Sequence, residues 1–387
     1  MNYRVNPRNN DKLSILGFGC MRFAKDEKEV EKQIIYAIEN GVNYFDTAYI
    51  YPNSEVILGR VLAKGYRERV KVATKMPPYF IKTYEDLDKV FNEELRRLQT
   101  DYIDYYFIHM LTDINIWSRL VEIGILKWID EKKKKGQIIN IGFSYHGGRE
   151  EFIKLIDIYD WEFCMIQYNY LDENNQAGKN GLEYATSKGL PVMIMEPLRG
   201  GRLVTSLPKE VYQVFENAHA KRSPAEWALR WIWNHPEVTT VLSGMNSQEM
   251  IEENIKAASE VRANSFTEQD FELFKKVRQI LNEKIQIPCT GCNYCLPCPK
   301  GVDIPTCFSC YNDRIIEGKI MAVGKYIMNT SLKTKANNAS LCSKCGICEK
   351  HCPQKISIRE ELSKVTKSME GFYYKPARFF IKRFMKL

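Results

Sequence analysis

Four side chains in the first third of the 387-residue chain are of types that together can protonate a carbonyl. They are Asp46 and Tyr51 in "FDTAYIYPNSEVILG", Lys75 in "VKVATKMP" and His109 in "YYFIHML". A phenol titrates near pH ~10, so a tyrosine that gives up a proton near neutrality needs a cation beside it to hold the phenolate. Lys75 suits that task, Asp46 suits holding the lysine, and His109 suits orienting a substrate oxygen by hydrogen bonding. Singly, each has an ordinary reading as a helix cap, a packing tyrosine, a surface lysine or a core histidine. Their shared position, at or just after the ends of apolar runs, joins them.

A second set consists of thiols. Ten of the twelve cysteines fall between residues 289 and 352, where "CTGCNYCLPCP" reads C-x2-C-x2-C-x2-C-P and "CSKCGICEKHCP" reads C-x2-C-x2-C-x3-C-P. The second is the spacing of bacterial ferredoxins, and the first is one residue shorter. In such runs three cysteines wrap one cluster and the fourth reaches its neighbour. This assigns Cys289, Cys292, Cys295 and Cys352 to one 4Fe-4S cluster, and Cys342, Cys345, Cys348 and Cys298 to a second. Zinc sites usually show separated C-x2-C pairs instead. Cys307 and Cys310 form one more such pair with no second pair left for them, and they read as structural thiols. Cys20 reads as a small buried residue.

These groups need elements to position them. From about residue 14 to 260, short β-rich runs alternate with helical patterns, which predicts strands at 13–20, 42–48, 70–75, 103–110, 138–144, 163–169, 190–196 and 239–244. Eight such units predict an α/β fold, a closed (β/α)8 TIM barrel. An open doubly wound sheet fits the alternation too, but "GFGCMRFAKD" lacks its G-x-G-x-x-G turn. In a parallel barrel the reactive groups stand at the C-terminal ends of the strands, as the four do here. Lys132 to Lys135 before Gly136 read as a solvated helix end.

Near residue 285 the composition shifts to Cys, Pro and Gly. The expected domains are therefore a barrel at 1–282, a smaller, mainly helical ferredoxin-like domain at 283–362, and a basic aromatic tail at 363–387. The 43 residues between Cys298 and Cys342 include "DRIIEGKIMAVGKYIMN", whose apolar spacing predicts helices packed around the clusters. The tail, free of acids after Glu370, is expected to dock on the chain's own barrel in preference to anionic lipid or an acidic redox partner.

With 44% hydrophobic and 27% charged residues the composition is that of a soluble globular protein. The formal charge of +8 falls to about +4 once eight thiolates and two cluster cores are counted, and that balance does not call for nucleic acid. No secretory apolar region and no run of about 18 apolar residues is present, so no transmembrane segment is expected and a cytoplasmic location is the default.

Over roughly residues 3 to 280 the chain resembles the aldo/keto reductase family. The resemblance rests on the ordered series "LGFGCMRF", "FDTAYIYPNSEVILG", "VATKMP", "DYIDYYFIHM", "KKGQIINIGFSYH", "MIQYNYL", "MEPLRGG" and "LSGMNSQEMIEENI". It implies a TIM barrel that uses NADP(H) or NAD(H) without a Rossmann domain, and a catalytic tetrad at Asp46, Tyr51, Lys75 and His109. It also implies that Ser144 and Gln167 hold the nicotinamide carboxamide, and that Ser243, Gly244, Glu253 and Asn254 border the pyrophosphate and adenosine. "SGMNSQEMIEEN" suits the last role, since a strand-to-helix turn offers backbone N–H groups to phosphate. The chain makes three departures from the family pattern: Tyr145 and His146 follow Ser144 where Asn is common, Met195 stands where an aromatic often stacks on nicotinamide, and Met250 stands where a basic or amide side chain often reads the 2′-phosphate.

Hydride carries two electrons and each cluster passes one, and no flavin motif is visible to mediate. The expected function is NAD(P)H-linked reduction of a small carbonyl, or the reverse alcohol oxidation. It would be coupled to or regulated by clusters that exchange electrons with a ferredoxin or flavoprotein partner. The alternatives are a reductase fed by the clusters without nicotinamide, and an electron-transfer or scaffold protein with no turnover of its own.

Overall fold

The computed structural model describes residues 1–284, 286–289, 291, 295–332, 335–352 and 354–384. The chain enters through an antiparallel hairpin, β1 (Tyr3–Val5) and β2 (Lys12–Ser14). Eight parallel strands follow: β3 (Leu16–Gly19), β4 (Tyr44–Asp46), β5 (Lys71–Met76), β6 (Ile103–Leu111), β7 (Ile138–Tyr145), β8 (Phe163–Gln167), β9 (Val192–Met195) and β10 (Val238–Ser243). They pair in chain order, and β10 closes the ring on β3 through Val241↔Leu16 and Ser243↔Phe18. This is the expected TIM barrel.

The first expected strand, 13–20, divides in two. Residues 13 and 14 pair with β1, the Ser14 hydroxyl donates to the Leu16 carbonyl at 2.7 Å, and the barrel strand begins only at Leu16. Leu13 thereby enters the barrel interior beside Tyr44, Tyr105 and Leu242, so the hairpin plugs the N-terminal end of the ring. The interior is largely aromatic and thioether, with Phe107 and Phe163 edge to face at 4.6 Å and Met165 and Met193 filling the gaps.

The connecting helices begin on local signals. Thr83 and Asp86 form a capping box ahead of Tyr84–Leu98, and Ser223 caps Pro224–Trp233 with proline in its first turn. Gly136 ends the helix Ile125–Lys134 with φ 67°, but the lysine run before it is less solvated than its charge suggests. Lys132 shares the buried face of Ile125, Trp128 and Ile129, one heptad on from Ile125. Its ammonium is buried against Asp88 at 2.6 Å and over the Phe91 ring.

The chain divides into two compact units: residues 1–172, 176–200 and 222–268 form the first, and residues 173–175, 201–221 and 269–387 the second. In the second, helices Ile304–Asn312, Lys319–Tyr326 and Ile358–Met369 enclose Phe308, Tyr326, Leu362, Val365 and Met369. Glu370 accepts hydrogen bonds from Asn338 Nδ2 at 2.8 Å, from the Ser340 N–H at 3.0 Å and from the Tyr326 hydroxyl, pinning the segment that leads to Cys342. The tail folds as a helix, Tyr374–Phe384, which packs on this helical core through Tyr374, Ala377 and Ile381, with Arg378 Nε donating to the Ser331 carbonyl at 3.2 Å. Its docking is thus within the second unit, where barrel docking was expected. Among the described residues no helix is long and apolar enough to cross a membrane.

Candidate active site

Asp46 ends β4, Lys75 is the penultimate residue of β5, and Tyr51 lies in the short loop between β4 and the helix Ser54–Val61. Lys75 Nζ pairs with Asp46 Oδ1 and donates to the Thr47 carbonyl at 2.7 Å, which aims the ammonium at the Tyr51 ring, 5.1 Å away. His109 sits on β6 where the pairing with β7 shifts register between Ile108 and Leu111. There Met110 takes φ 54° and its N–H donates to Ser144 Oγ at 2.8 Å. Such an irregularity re-aims a side chain at the rim of a barrel. The imidazole stands 6.0 Å from the Tyr51 ring and nearly perpendicular to it. The four residues expected from the sequence are therefore one cluster.

Burial is the largest single influence on the protonation of each. It drives the Asp46 carboxyl up against the pull of Lys75, and the Tyr51 phenol up, again opposed by Lys75. Burial alone would lower the Lys75 ammonium, but Asp46 and Tyr51 outweigh it and the net shift is upward. Burial, then Lys75 and His146, hold His109 well below the ordinary imidazole value, so it is neutral near pH 7. The arrangement pairs a protonated phenol with a cation that will stabilise its anion, beside a neutral imidazole.

The residues expected to hold nicotinamide are positioned as follows. Ser144 is buried and accepts from Met110, which leaves its hydroxyl hydrogen to give. Gln167 is held at both ends: Nε2 donates to Asp172 Oδ2 at 2.9 Å, and Oε1 accepts from Gln176. Asp172 is the hub of a buried network, since it also accepts from Asn169 Nδ2 at 2.9 Å and binds Arg199 through both carboxylate oxygens. Asp172, Asn169, Gln176 and Arg199 were not picked out from the sequence. The usable signal was the crowding of polar residues in "QYNYLDENNQ" and "MEPLRGG", directly after two strands. Tyr145 turns away, its hydroxyl donating to the Gly148 carbonyl and its ring packing on Phe143 and Phe152, while His146 comes close enough to His109 to depress it.

At the end of β10, Ser243 is buried and accepts from Asn254 Nδ2 at 3.1 Å, whereas Gly244 is exposed. A Cβ on Gly244 would meet nothing closer than the Gly19 carbonyl at 3.9 Å. The helix Gln248–Glu260, capped by Ser247, begins four residues on. An open glycine ahead of a capped helix N-terminus fits a phosphate. Asn254 therefore braces the turn, Glu253 is exposed on the same helix, and Met250 is 47% exposed. His109 Nδ1 and Asp46 Oδ2 are buried without hydrogen-bond partners, which is consistent with a site built to receive polar groups.

In the second unit, Cys289, Cys295, Cys298, Cys342 and Cys352 are partly buried around a core that contains Cys348, and Cys345 is exposed. Cys292 lies outside the described residues. Burial pushes the Cys348 thiol up, and the neighbouring Cys342 and Cys298 add to that shift, so three of one expected quartet are charge neighbours. Positive φ at Lys344 and Gly346 curls the run, and the Lys344 N–H faces Cys342 Sγ at 3.4 Å. Among the described residues no three His, Cys, Asp or Glu side chains are gathered for a single metal ion. A cubane, by contrast, keeps its four thiolates apart at its corners, and a soft thiolate set around such a curl fits it. Cys307 and Cys310 are buried core residues, both thiols pushed up by burial.

Comparison with known proteins bears on both parts of the chain. The model of the aldo/keto reductase family matches residues 15–279, and that of the 4Fe-4S dicluster domain matches residues 288–357. Protein tas of Escherichia coli is 25% identical over 321 residues, covering 66% of this chain and 93% of its own. L-galactose dehydrogenase of Arabidopsis thaliana is 27% identical over 304 residues, covering 70% and 91%. The structure of aldo-keto reductase AKR11C1 from Bacillus halodurans in its holo form superposes with a TM-score of 0.60 at 27% identity, over 72% of this chain and 96% of that one. An aldo-keto reductase from Klebsiella pneumoniae in complex with NADPH shares the fold, with a TM-score of 0.61 at 20% identity over 72% and 95%. The chain belongs to the aldo/keto reductase family, and its barrel is joined to a C-terminal 4Fe-4S dicluster domain.

Proposed function

We propose that the barrel interconverts a small carbonyl compound and its alcohol, with Tyr51 as the group that moves the proton. The observation that carries this is the buried Asp46–Lys75 pair set against the Tyr51 ring. In the reducing direction His109, neutral, donates a hydrogen bond to the carbonyl oxygen and fixes its position. Tyr51 passes its phenolic proton to that oxygen as the carbon is reduced, and the phenolate left behind is stabilised by Lys75 until solvent reprotonates it. Asp46 keeps the lysine charged and aimed. Ser144 and Gln167 would hold the carboxamide of NAD(P)H, and Ser243, Gly244 and the Gln248–Glu260 N-terminus its phosphates; when bound, it would supply the hydride for the carbon. Exposed Met250 offers no charge to a 2′-phosphate, so discrimination between NADPH and NADH by that side chain is weak.

The cysteine runs supply one-electron exchange once Cys289, Cys292, Cys295 and Cys352, and Cys342, Cys345, Cys348 and Cys298, hold their two clusters. A ferredoxin or flavoprotein is the class of partner that handles such electrons. A second reading has the clusters feeding the barrel without nicotinamide. It is favoured by one observation: both ends of the Gln167 amide are already engaged by Asp172 and Gln176. The test is anaerobic turnover of a carbonyl panel with NADPH, NADH or reduced viologen. Nicotinamide-dependent turnover abolished by Tyr51→Phe is expected. Turnover with viologen alone, and no nucleotide binding below millimolar concentration, supports the second reading, whereas unchanged Tyr51→Phe activity overturns the role of the phenol.

A further inference from the structure

Among the described residues the helix Tyr374–Phe384 packs on the core of the second unit through one face. Tyr374, Ala377 and Ile381, spaced for one helical stripe, pack on the core of the second unit. On the opposite side Phe379 and Phe380 are 61% and 67% exposed, and the helical period puts Arg383 between them. Phe372, just ahead of the helix, is 93% exposed. Lys319 Nζ stands 5.5 Å from the Tyr373 ring, which brings the start of the helix Lys319–Tyr326 to the same end, and the adjacent Ile320 is 87% exposed. Between Gly371 and Phe384 there is no acidic residue, and there are four bases: Lys375, Arg378, Lys382 and Arg383.

Isolated exposed apolar side chains are ordinary on a protein surface, but three protruding phenyl groups within one wholly basic segment are not. We propose that this face docks on an anionic phospholipid bilayer, with the helix lying in the headgroup plane, the phenyl rings below it and the basic side chains among the phosphates. The charge is complementary, with no acid on the segment to oppose it. The rings are largely exposed, and a deformable headgroup layer accepts such rings without a matched cavity, whereas a protein partner must present one. Long basic stems reach back to the phosphates while the rings are buried. The opposite face is already docked, so the helix is ordered before it meets lipid and pays no folding cost on binding.

The test is flotation of the full chain, purified anaerobically with its iron. Vesicles of phosphatidylcholine alone are compared with vesicles of phosphatidylcholine and phosphatidylglycerol. The chain is expected to float with the mixed vesicles only, less so at high salt. The triple substitution Phe372→Ser, Phe379→Ser and Phe380→Ser is expected to weaken flotation at least about tenfold while iron content and cluster absorbance stay those of the parent. Should that variant lose iron, Lys375→Gln with Lys382→Gln and Arg383→Gln replaces it and must abolish the preference for phosphatidylglycerol. Absence of flotation with either vesicle overturns the proposal, as does a triple-serine variant, iron intact, that floats like the parent, since that would be adsorption by charge alone. A face that binds an acidic ferredoxin but no vesicle, or that forms a dimer abolished by the serines, assigns the surface to a protein and also overturns it.

Discussion

The barrel mouth and the cysteine runs place their reactive groups by opposite means. Asp46, Tyr51, Lys75 and His109 are scattered along the sequence, yet the chain itself gathers them, with a buried ion pair and a carbonyl of the next loop holding Lys75 and an irregular strand end braced by Ser144 carrying His109. The cysteines are crowded in sequence instead. Most lie at the margin of a core, and Cys345 is exposed. Proton chemistry requires that the protein hold the groups in advance, whereas a cluster cross-links its own ligands and completes the geometry on arrival.

That contrast can be broken or sharpened by experiment. Tyr51→Phe should lower kcat for carbonyl reduction by about 10³-fold, near the middle of the range for a lost general acid, with iron content unchanged. Arg199→Met should remove a cation from the Asp172 carboxylate, which is about 2% exposed, costing about 3 kcal/mol of stability by denaturant titration. It should also raise the KM for nicotinamide more than it lowers kcat, because Gln167 leans on that carboxylate. Cys348→Ser should remove one cluster's iron, read by iron assay, and change the barrel's rate by no more than about twofold if the chain alone fixes the mouth. A barrel inactivated by this change would show that its preorganisation depends on the metal.

Two pH effects are smaller. With His109 depressed and the Tyr51 phenol raised, kcat for reduction should show no inflection near ~6.5 and fall only above about pH 10, as the phenol begins to ionise. Glu94, buried beside Glu55, has its carboxyl pushed well above the usual range, first by burial and then by that neighbour's charge. Its folded value lies above its unfolded one, so the stability it contributes is complete below the unfolded value of ~4.3 and is lost as pH rises through the folded value. Glu94→Gln should remove that loss and narrow the difference in Tm between pH 5 and pH 8.

Much of this was legible because the signals are local. A strand announces itself within its own residues, and so does a cysteine run. The four positions proposed as catalytic could be joined because each stands near or just after the end of such a strand. The Asp172 network was not legible, since Arg199 arrives from 27 residues away and a buried Arg–Asp pair looks in sequence like two surface charges. Lys132 misled for the converse reason: in a run of four lysines, charge outweighed the helical period that turns this one inward. The hairpin was missed because residues 13 to 20 are uniformly apolar or small, and only the pairing with Tyr3–Val5 breaks them at Ile15.

The order in which the ring closes also has a meaning in time. Thr240 of β10 donates to the Ser14 carbonyl across 226 residues of chain, so no portion that stops short of that strand can complete the barrel. A ribosome emits the chain from its N-terminus, and both cysteine runs follow the closing strand. Residues 173–175 and 201–221 are made early but belong to the unit that is finished last. They must wait, already synthesised, while the first unit closes around its own strands and before the ligands for iron exist. Synthesis thus schedules the reductase barrel ahead of the iron-sulfur domain.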